Sequence, residues 1–216
     1  MNISTKLLKA AAGAAGGEVL DIDDVFSTYL NNDGSSNQVI TNGIDLSGEG
    51  GLVWGKSRNL TEGHFLVDSE RGTGSNNNFK YLGSDTASQE VDLSNRSISS
   101  FNSDGFTFQG ADAQFNASGN EYVYWTFRQA PKFFDVVTYT GNFTAGTTIS
   151  HNLGQTPGMI IFKDTSNTRN WYIYHRSLGK STFLSLDQTI ASFSNTFMLN
   201  NTDPTSTEFT LGEATN

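Results

Sequence analysis

The sequence predicts an all-β protein made of two tandem antiparallel β-sandwich units, with a short helix at the N-terminus. Three observations predict it. From Val19 onward, side chains alternate with the period of a strand, as in Tyr122-Val123-Tyr124-Trp125-Thr126-Phe127. Turn-forming clusters separate these runs, among them Asn31-Asn32-Asp33-Gly34, Gly48-Glu49-Gly50-Gly51 and Asn102-Ser103-Asp104-Gly105. The chain also repeats itself. Gly51-Leu52-Val53-Trp54-Gly55-Lys56, His64-Phe65-Leu66-Val67 and Gly72 recur as Gly158-Met159-Ile160-Ile161-Phe162-Lys163, Trp171-Tyr172-Ile173-Tyr174 and Gly179, at an offset of 107. Phe106-Thr107-Phe108 matches Phe209-Thr210-Leu211 at an offset of 103.

Residues 4–15 predict one short helix. Ser4 or Thr5 caps it, Leu7, Leu8, Ala11 and Ala15 form a narrow apolar stripe, and Gly16-Gly17 stops it. An Ala-rich helix this short does not hold itself together in water, so it needs a surface to dock on. That surface is either a sheet edge of its own chain or a partner. On the partner reading, residues 1–17 form an attachment segment, with Lys6, Leu7, Leu8, Ala11 and Ala15 as the attachment residues.

Strands are predicted over 24–30, 37–44, 51–57, 63–69, 79–83, 106–109 and 121–128 in a first unit, residues 18–130. A second set covers 133–140, 146–150, 158–163, 170–176, 181–186 and 207–211 in a second unit, residues 131–216. Many short strands without intervening helices indicate antiparallel sandwiches. Strand 121–128 carries aromatic bulk on both faces and is expected to be central and covered, with Trp125 and Phe127 largely buried. The paired strings imply that Leu52 and Val53 occupy the places of Met159 and Ile160, with the same burial in each copy. Gln129-Ala130-Pro131-Lys132 is a short link, so the two units are expected to pack closely. The second copy has no counterpart of 121–128. The expectation is that the natural polypeptide continues past Asn216 with such a strand, or that another chain fills the gap by strand addition.

Composition narrows the function. The 216 residues contain no Cys, which excludes a disulfide scaffold, a cysteine nucleophile and a thiolate metal site. A net charge of -9 opposes nucleic-acid binding, which needs clustered Lys and Arg. No apolar run approaches the roughly 20 residues that span a bilayer, so no membrane insertion is expected. Lys9 interrupts the apolar N-terminal stretch, which argues against a secretory signal.

The candidates for chemistry are few. Asp68 and Glu70 stand two apart, the spacing that would present two carboxylates for glycoside hydrolysis, but Arg71 beside them favours an ion pair. His64, His151 and His175 lie in three separate segments without metal-ligand spacing. Asp21-Ile22-Asp23-Asp24 and the oxygen-rich 31–37 loop do not complete a calcium loop. No Gly-x-Ser-x-Gly elbow occurs, and the Gly-rich 72–78 loop lacks a phosphate-binding context. No catalytic residue, cofactor or metal site is therefore assigned. Trp54 and Trp125 alternate with apolar neighbours as core residues do. Trp171 follows a polar stretch and is the candidate for stacking on a sugar.

Several strings resemble a known repeated domain. They include Thr41-Asn42-Gly43-Ile44-Asp45-Leu46-Ser47-Gly48-Glu49-Gly50-Gly51-Leu52-Val53-Trp54, Ser100-Phe101-Asn102-Ser103-Asp104-Gly105-Phe106 and Tyr122-Val123-Tyr124-Trp125-Thr126-Phe127. Phe134-Asp135-Val136-Val137-Thr138-Tyr139-Thr140-Gly141 and Ser150-His151-Asn152-Leu153-Gly154-Gln155-Thr156-Pro157-Gly158 belong with them. Over roughly residues 18–216 the chain resembles a concanavalin-like jelly-roll domain of structural proteins from marine tailed phages of the cyanophage type. The resemblance implies a non-enzymatic virion protein, the N-terminal part of a tail fibre or tail appendage. It would attach to the particle and build a rigid β spacer. Its partners would be other tail or capsid proteins and further copies of itself, trimers being usual for fibres. The alternatives are a receptor-recognition domain that binds a host-surface glycan and a capsid decoration protein.

Overall fold

The computed structural model describes residues 20–213. The predicted helix over 4–15, with Lys6, Leu7, Leu8, Ala11 and Ala15, lies outside the described residues. The fold is all-β, its sheets are antiparallel, and among the described residues the only helical elements are 3-10 turns at Ile22–Asp24 and Ser75–Asn77.

The first unit packs two sheets face to face. One has the order β1 (Phe26–Asn31), β7 (Tyr122–Arg128), β3 (Gly51–Ser57), β4 (Phe65–Asp68). The other has the order β2 (Val39–Thr41), β6 (Gly105–Phe108), β5 (Ile98–Asn102). β5 was not expected. It pairs with β6 through the Asn102–Gly105 turn and carries a register irregularity between Ile98 and Ser100 that disrupts its alternation. Ile40, Ile44, Val53, Phe65, Phe106, Phe108, Phe115, Tyr122 and Tyr124 fill the space between the sheets. The expected strand over 79–83 is reduced to isolated bridges, Leu66 to Leu82 and Tyr81 to Val91.

β7 is central, as expected, but its buried face is the other one. Tyr122, Tyr124 and Thr126 are fully enclosed, whereas Trp125 and Phe127 are half-buried on the outer face of the sheet. The reason lies in the hydroxyls. Tyr124 Oη donates to the Phe115 carbonyl at 2.7 Å, and Tyr122 Oη donates to the Ala113 carbonyl at 2.9 Å. Both rings can be buried because both polar tips are satisfied.

The second unit repeats the plan with one strand fewer. Its sheets are β12 (Phe193–Ser194), β11 (Thr182–Ser185), β10 (Tyr172–His175), β9 (Met159–Phe162), and β13 (Glu208–Leu211) with β8 (Thr147–Ser150). Two-residue β12 was not expected from the sequence. Phe162, Tyr174, Phe183, Met198, Leu199, Phe209 and Leu211 form the core.

The duplication is visible in the hydrogen-bonding register. Leu52 faces Asp68 and Val53 faces Val67 across β3·β4; Met159 faces His175 and Ile160 faces Tyr174 across β9·β10. The pairs keep the offset of 107. In the opposite sheets, Ile40 faces Phe106 and Ile149 faces Phe209. Gly55 has Phe162 as its counterpart. A methyl group on Gly55 would collide with the Phe65 ring, which lies across β3 at that point. In the second unit the bulk comes from Phe162 itself, opposite Tyr172.

One predicted strand is missing. Residues 133–140 correspond to β1, yet they form no ladder; only Ala130 and Phe134 make a bridge. In the first unit β1 pairs with β7 alone. Among the described residues the second unit shows no counterpart of β7 beside this segment.

Tyr124→Ala should cost roughly 3–5 kcal/mol, because it opens a cavity in the first core and strands the Phe115 carbonyl. Trp125→Ala, on the half-exposed face, should cost clearly less. Urea unfolding of the two variants checks the order, and an equal or reversed ranking would show that the faces of β7 are assigned the wrong way round.

Candidate functional site: the uncovered edge and face of the second sheet

Among the described residues β9 pairs with a strand on one side only, β10. The Arg176 N–H donates to the Gly158 carbonyl at 3.0 Å. Antiparallel pairing alternates, so the peptide groups of Ile160 and Phe162 also point to β10, and those of Met159 and Ile161 point away from it. In the first unit the same alternation holds. Gln129 N–H donates to the Gly50 carbonyl at 3.0 Å, which places the peptide groups of Leu52 and Trp54 toward β7. Among the described residues no backbone hydrogen bond reaches Met159 or Ile161 on that outer side.

Burial of equivalent residues follows the same gap. Val53 and Ile40 are 0% exposed beneath β7, whereas their counterparts Ile160 and Ile149 are only partly buried. The expectation of equal burial in the two copies therefore fails, although the positions correspond. On the outer face, Met159 is 54% and Ile161 37% exposed, while their counterparts Leu52 and Trp54 are half-buried.

The cover over Leu52 and Trp54 comes from the second unit itself. Trp171 packs with Leu66 and Leu82, and Leu52, Trp54 and Leu186 surround them. The Trp171 indole N–H donates to the carbonyls of Gly83 at 2.8 Å and Thr86 at 3.1 Å. Lys163 lies 5.8 Å over the ring and donates to the Ala87 and Arg169 carbonyls. Its counterpart Lys56 makes the same bond within the first unit, to the Glu62 carbonyl six residues on. Further ties between the units join Glu90 N–H to the Thr165 carbonyl and Arg169 N–H to the Ala87 carbonyl, each at 2.9 Å. Close packing of the units is thus found.

This geometry corrects the sugar reading of Trp171. The residue is 4% exposed, its N–H is satisfied and its ring is enclosed in the junction, so it presents no face for stacking. The polar stretch before it, 164–170, is the surface loop that lets the chain dip into the first unit.

The other candidates are structural. The Asp68 carboxylate, nearly buried, accepts from the Glu70 and Arg71 N–H groups and from Arg71 Nε at 2.5 Å. Arg71 continues to Glu90 at 3.1 Å and Glu90 to Lys80 at 2.9 Å. Glu70 lies beyond the end of β4 and is exposed, where it accepts from Gln129 Nε2 at 2.8 Å. The two carboxylates do not converge on a cleft. Asp21 caps the first 3-10 turn, and Asn31 bonds Gln38 in the following loop. Among the described residues no group of three or more His, Asp or Glu side chains is arranged to hold a metal, and no helix is long and apolar enough to cross a membrane. An open groove of about 490 Å³ runs between the 46–50 loop and β5, with Glu49, Glu70 and the paired rings of Phe79 and Phe101 on its walls.

The chain matches a family described only as a domain of unknown function, DUF7483, over residues 23–216. It belongs to that family. No curated protein and no solved structure matches it. The match spans both units.

Truncating Trp171 should cost roughly 3–5 kcal/mol and raise protease sensitivity around residues 83–90 and 163–171 together. Limited proteolysis with mass spectrometry checks this, and cleavage confined to the second unit would contradict a shared junction. A pH dependence also follows. His64 Nδ1 accepts from Trp54 Nε1 at 3.1 Å, and burial holds the His64 pKa below its ordinary value against the pull of Asp85. The folded state then binds its proton less readily than the unfolded state, so His64 lowers stability as pH falls below about 6.5. Urea midpoints between pH 7.5 and 5 should drop more steeply for the parent protein than for His64→Gln; parallel curves would remove His64 as the cause.

Proposed function

We propose that this DUF7483 protein is a non-enzymatic structural component of a tailed-phage particle, the N-terminal part of a tail fibre or appendage. The observation that carries the reading is the junction. Two sandwiches are fixed to each other by a buried tryptophan, a lysine threaded between carbonyls and backbone hydrogen bonds in both directions. Such a joint makes a stiff spacer, the mechanical need of an appendage, where a catalytic domain would need a cleft with converging groups. The likeness of residues 18–216 to phage structural domains supplies the particle. Residues 1–17 are assigned to attachment through Lys6, Leu7, Leu8, Ala11 and Ala15, with other tail or capsid proteins as partners and self-association, as a trimer, along the fibre.

Immunogold labelling of intact particles, or a map of the whole virion, tests the placement. Density or label on the tail is the expected result. Label on the head would instead make it a capsid decoration protein, and none on either would refute the virion role. Deleting residues 1–17 should leave the β units folded and block incorporation into particles. Normal incorporation of the truncated protein would refute the attachment role. A glycan array should be blank; reproducible binding of one glycan class would replace the spacer with receptor recognition.

A further inference from the structure

We infer that the outer edge of β1 is an interface between copies of this chain, where the same strand of a second copy adds antiparallel across a two-fold axis at Thr28. The inference does not rest on the virion reading, and the trimer of that reading would use other surfaces. It starts from the hydrogen-bonding direction of β1. Arg128 N–H donates to the Val25 carbonyl at 2.8 Å. By alternation the peptide groups of Ser27, Tyr29 and Asn31 also face β7, and those of Phe26, Thr28 and Leu30 face outward. Among the described residues no backbone hydrogen bond reaches these three on the outer side. An open groove lined by Asp23, Phe26, Ser27, Thr28 and Asn42 runs along the same edge.

The other edges of the first unit are blunted. β2 is three residues long. β5 carries the irregularity between Ile98 and Ser100, and its Ile98 carbonyl accepts from Phe79 N–H. β4 exchanges hydrogen bonds with Leu82. β1 has none of these devices. It runs six residues in unbroken register, and Phe26-Ser27-Thr28-Tyr29-Leu30-Asn31 contains no charge, proline or glycine. Such an edge is a template for strand pairing, which charges, prolines and bulges otherwise prevent.

The strand is complementary to itself, which points to a second copy. With the axis at Thr28, Phe26 faces Leu30 of the second copy and Leu30 faces its Phe26. Leu30 is 54% exposed in the single chain and would meet an aromatic ring there. On the other face Ser27 stands opposite Tyr29. This register satisfies every outward N–H and C=O of both strands. The ends also agree in charge. Asp23 and Asp24 precede β1, are exposed and have no cation partner among the described residues. Past the other end, Arg58 Nη1 donates to Asn32 Oδ1 at 3.0 Å and lies 3.3 Å from Glu121, leaving its Nε and Nη2 donors without a protein partner among the described residues. Antiparallel pairing sets the acidic end of each strand beside the Arg58 end of the other. Elsewhere the net charge of -9 makes two copies repel.

Sedimentation velocity of the full 216-residue protein over a concentration series tests this, with amide exchange read by NMR. A two-copy species should grow with concentration. Exchange at Phe26, Thr28 and Leu30 should slow about tenfold or more, while Ser27 and Tyr29, already held by β7, change little. Thr28 is exposed, so Thr28→Lys and Thr28→Glu should each leave the melting temperature nearly unchanged. Each alone sets like charges face to face on the axis and should abolish the two-copy species. An equimolar mixture of the two should regain it, which a merely structural defect would not allow. Should either variant fail to fold, the concentration dependence of exchange in the parent protein decides. A single-copy protein with unchanged exchange at every concentration overturns the inference. So does a two-copy species that both variants keep, a mixture that fails to regain it, or protection of Phe26, Thr28 and Leu30 that is already complete at high dilution.

Discussion

β7 forms hydrogen-bonded ladders on both sides, with β1 and with β3, while its Tyr122, Tyr124 and Thr126 side chains close the core beneath it. The first unit depends on that double role. Without β7, β1 would have no partner, β3 would become an edge, and Val53 and Ile40 would lose their cover. A fully paired central strand is also the costliest element to leave out, since each unmet backbone group at a dry edge forfeits a hydrogen bond. Among its described residues the second unit shows the related architecture without that element. Its remaining hairpin β9–β10 keeps the register of β3–β4, so the hairpin is set by its own turn and side-chain pairing and not by the missing neighbour.

The junction follows from the same asymmetry. The outer face of the first sheet is strongly apolar, with Phe127, Leu52, Trp125, Trp54 and Leu66 side by side. Left bare, it would be a sticky surface. Phe133 and Phe134, just after the link, fold over Phe127, with ring centroids 6.5 and 5.4 Å away, and Trp171 covers the Leu66 end. The linker and the second unit therefore act as a lid on the first, which makes the pair one mechanical body. The equivalent face of the second sheet, at Met159, Ile161, Ile173 and Leu184, has no such lid among the described residues.

Much of this was legible in the sequence, in different degrees. The duplicated Gly-apolar-apolar strings located β3 and β9, and they also gave the pairing of Leu52 with Met159 and Val53 with Ile160. The absence of a counterpart to 121–128 located the gap. Alternation in β7 gave two faces but not which one is inside, because that choice rests on the Ala113 and Phe115 carbonyls that receive the tyrosine hydroxyls. Trp171 looked exposed because its local neighbours are polar; its partners, Gly83 and Thr86, lie in the other unit. Residues 133–140 have strand-like residues but form only the Ala130 to Phe134 bridge, and a ladder is a property of two segments. β5 was hidden by its irregular register, which breaks the period of two. The likeness between Leu82 and Leu184, both opposite the second strand of the hairpin, was hidden by the drift of the offset.

The central claim is that the two units differ by one filled and one open strand position. Native-state hydrogen exchange on the unliganded protein tests it most directly, with each amide compared with its own counterpart. The account predicts slow exchange at Leu52 and Trp54, which bind β7, and fast exchange at Met159 and Ile161, alongside slow exchange at Ile160 and Phe162. Protection of Met159 and Ile161 equal to that of Leu52 and Trp54 would contradict it.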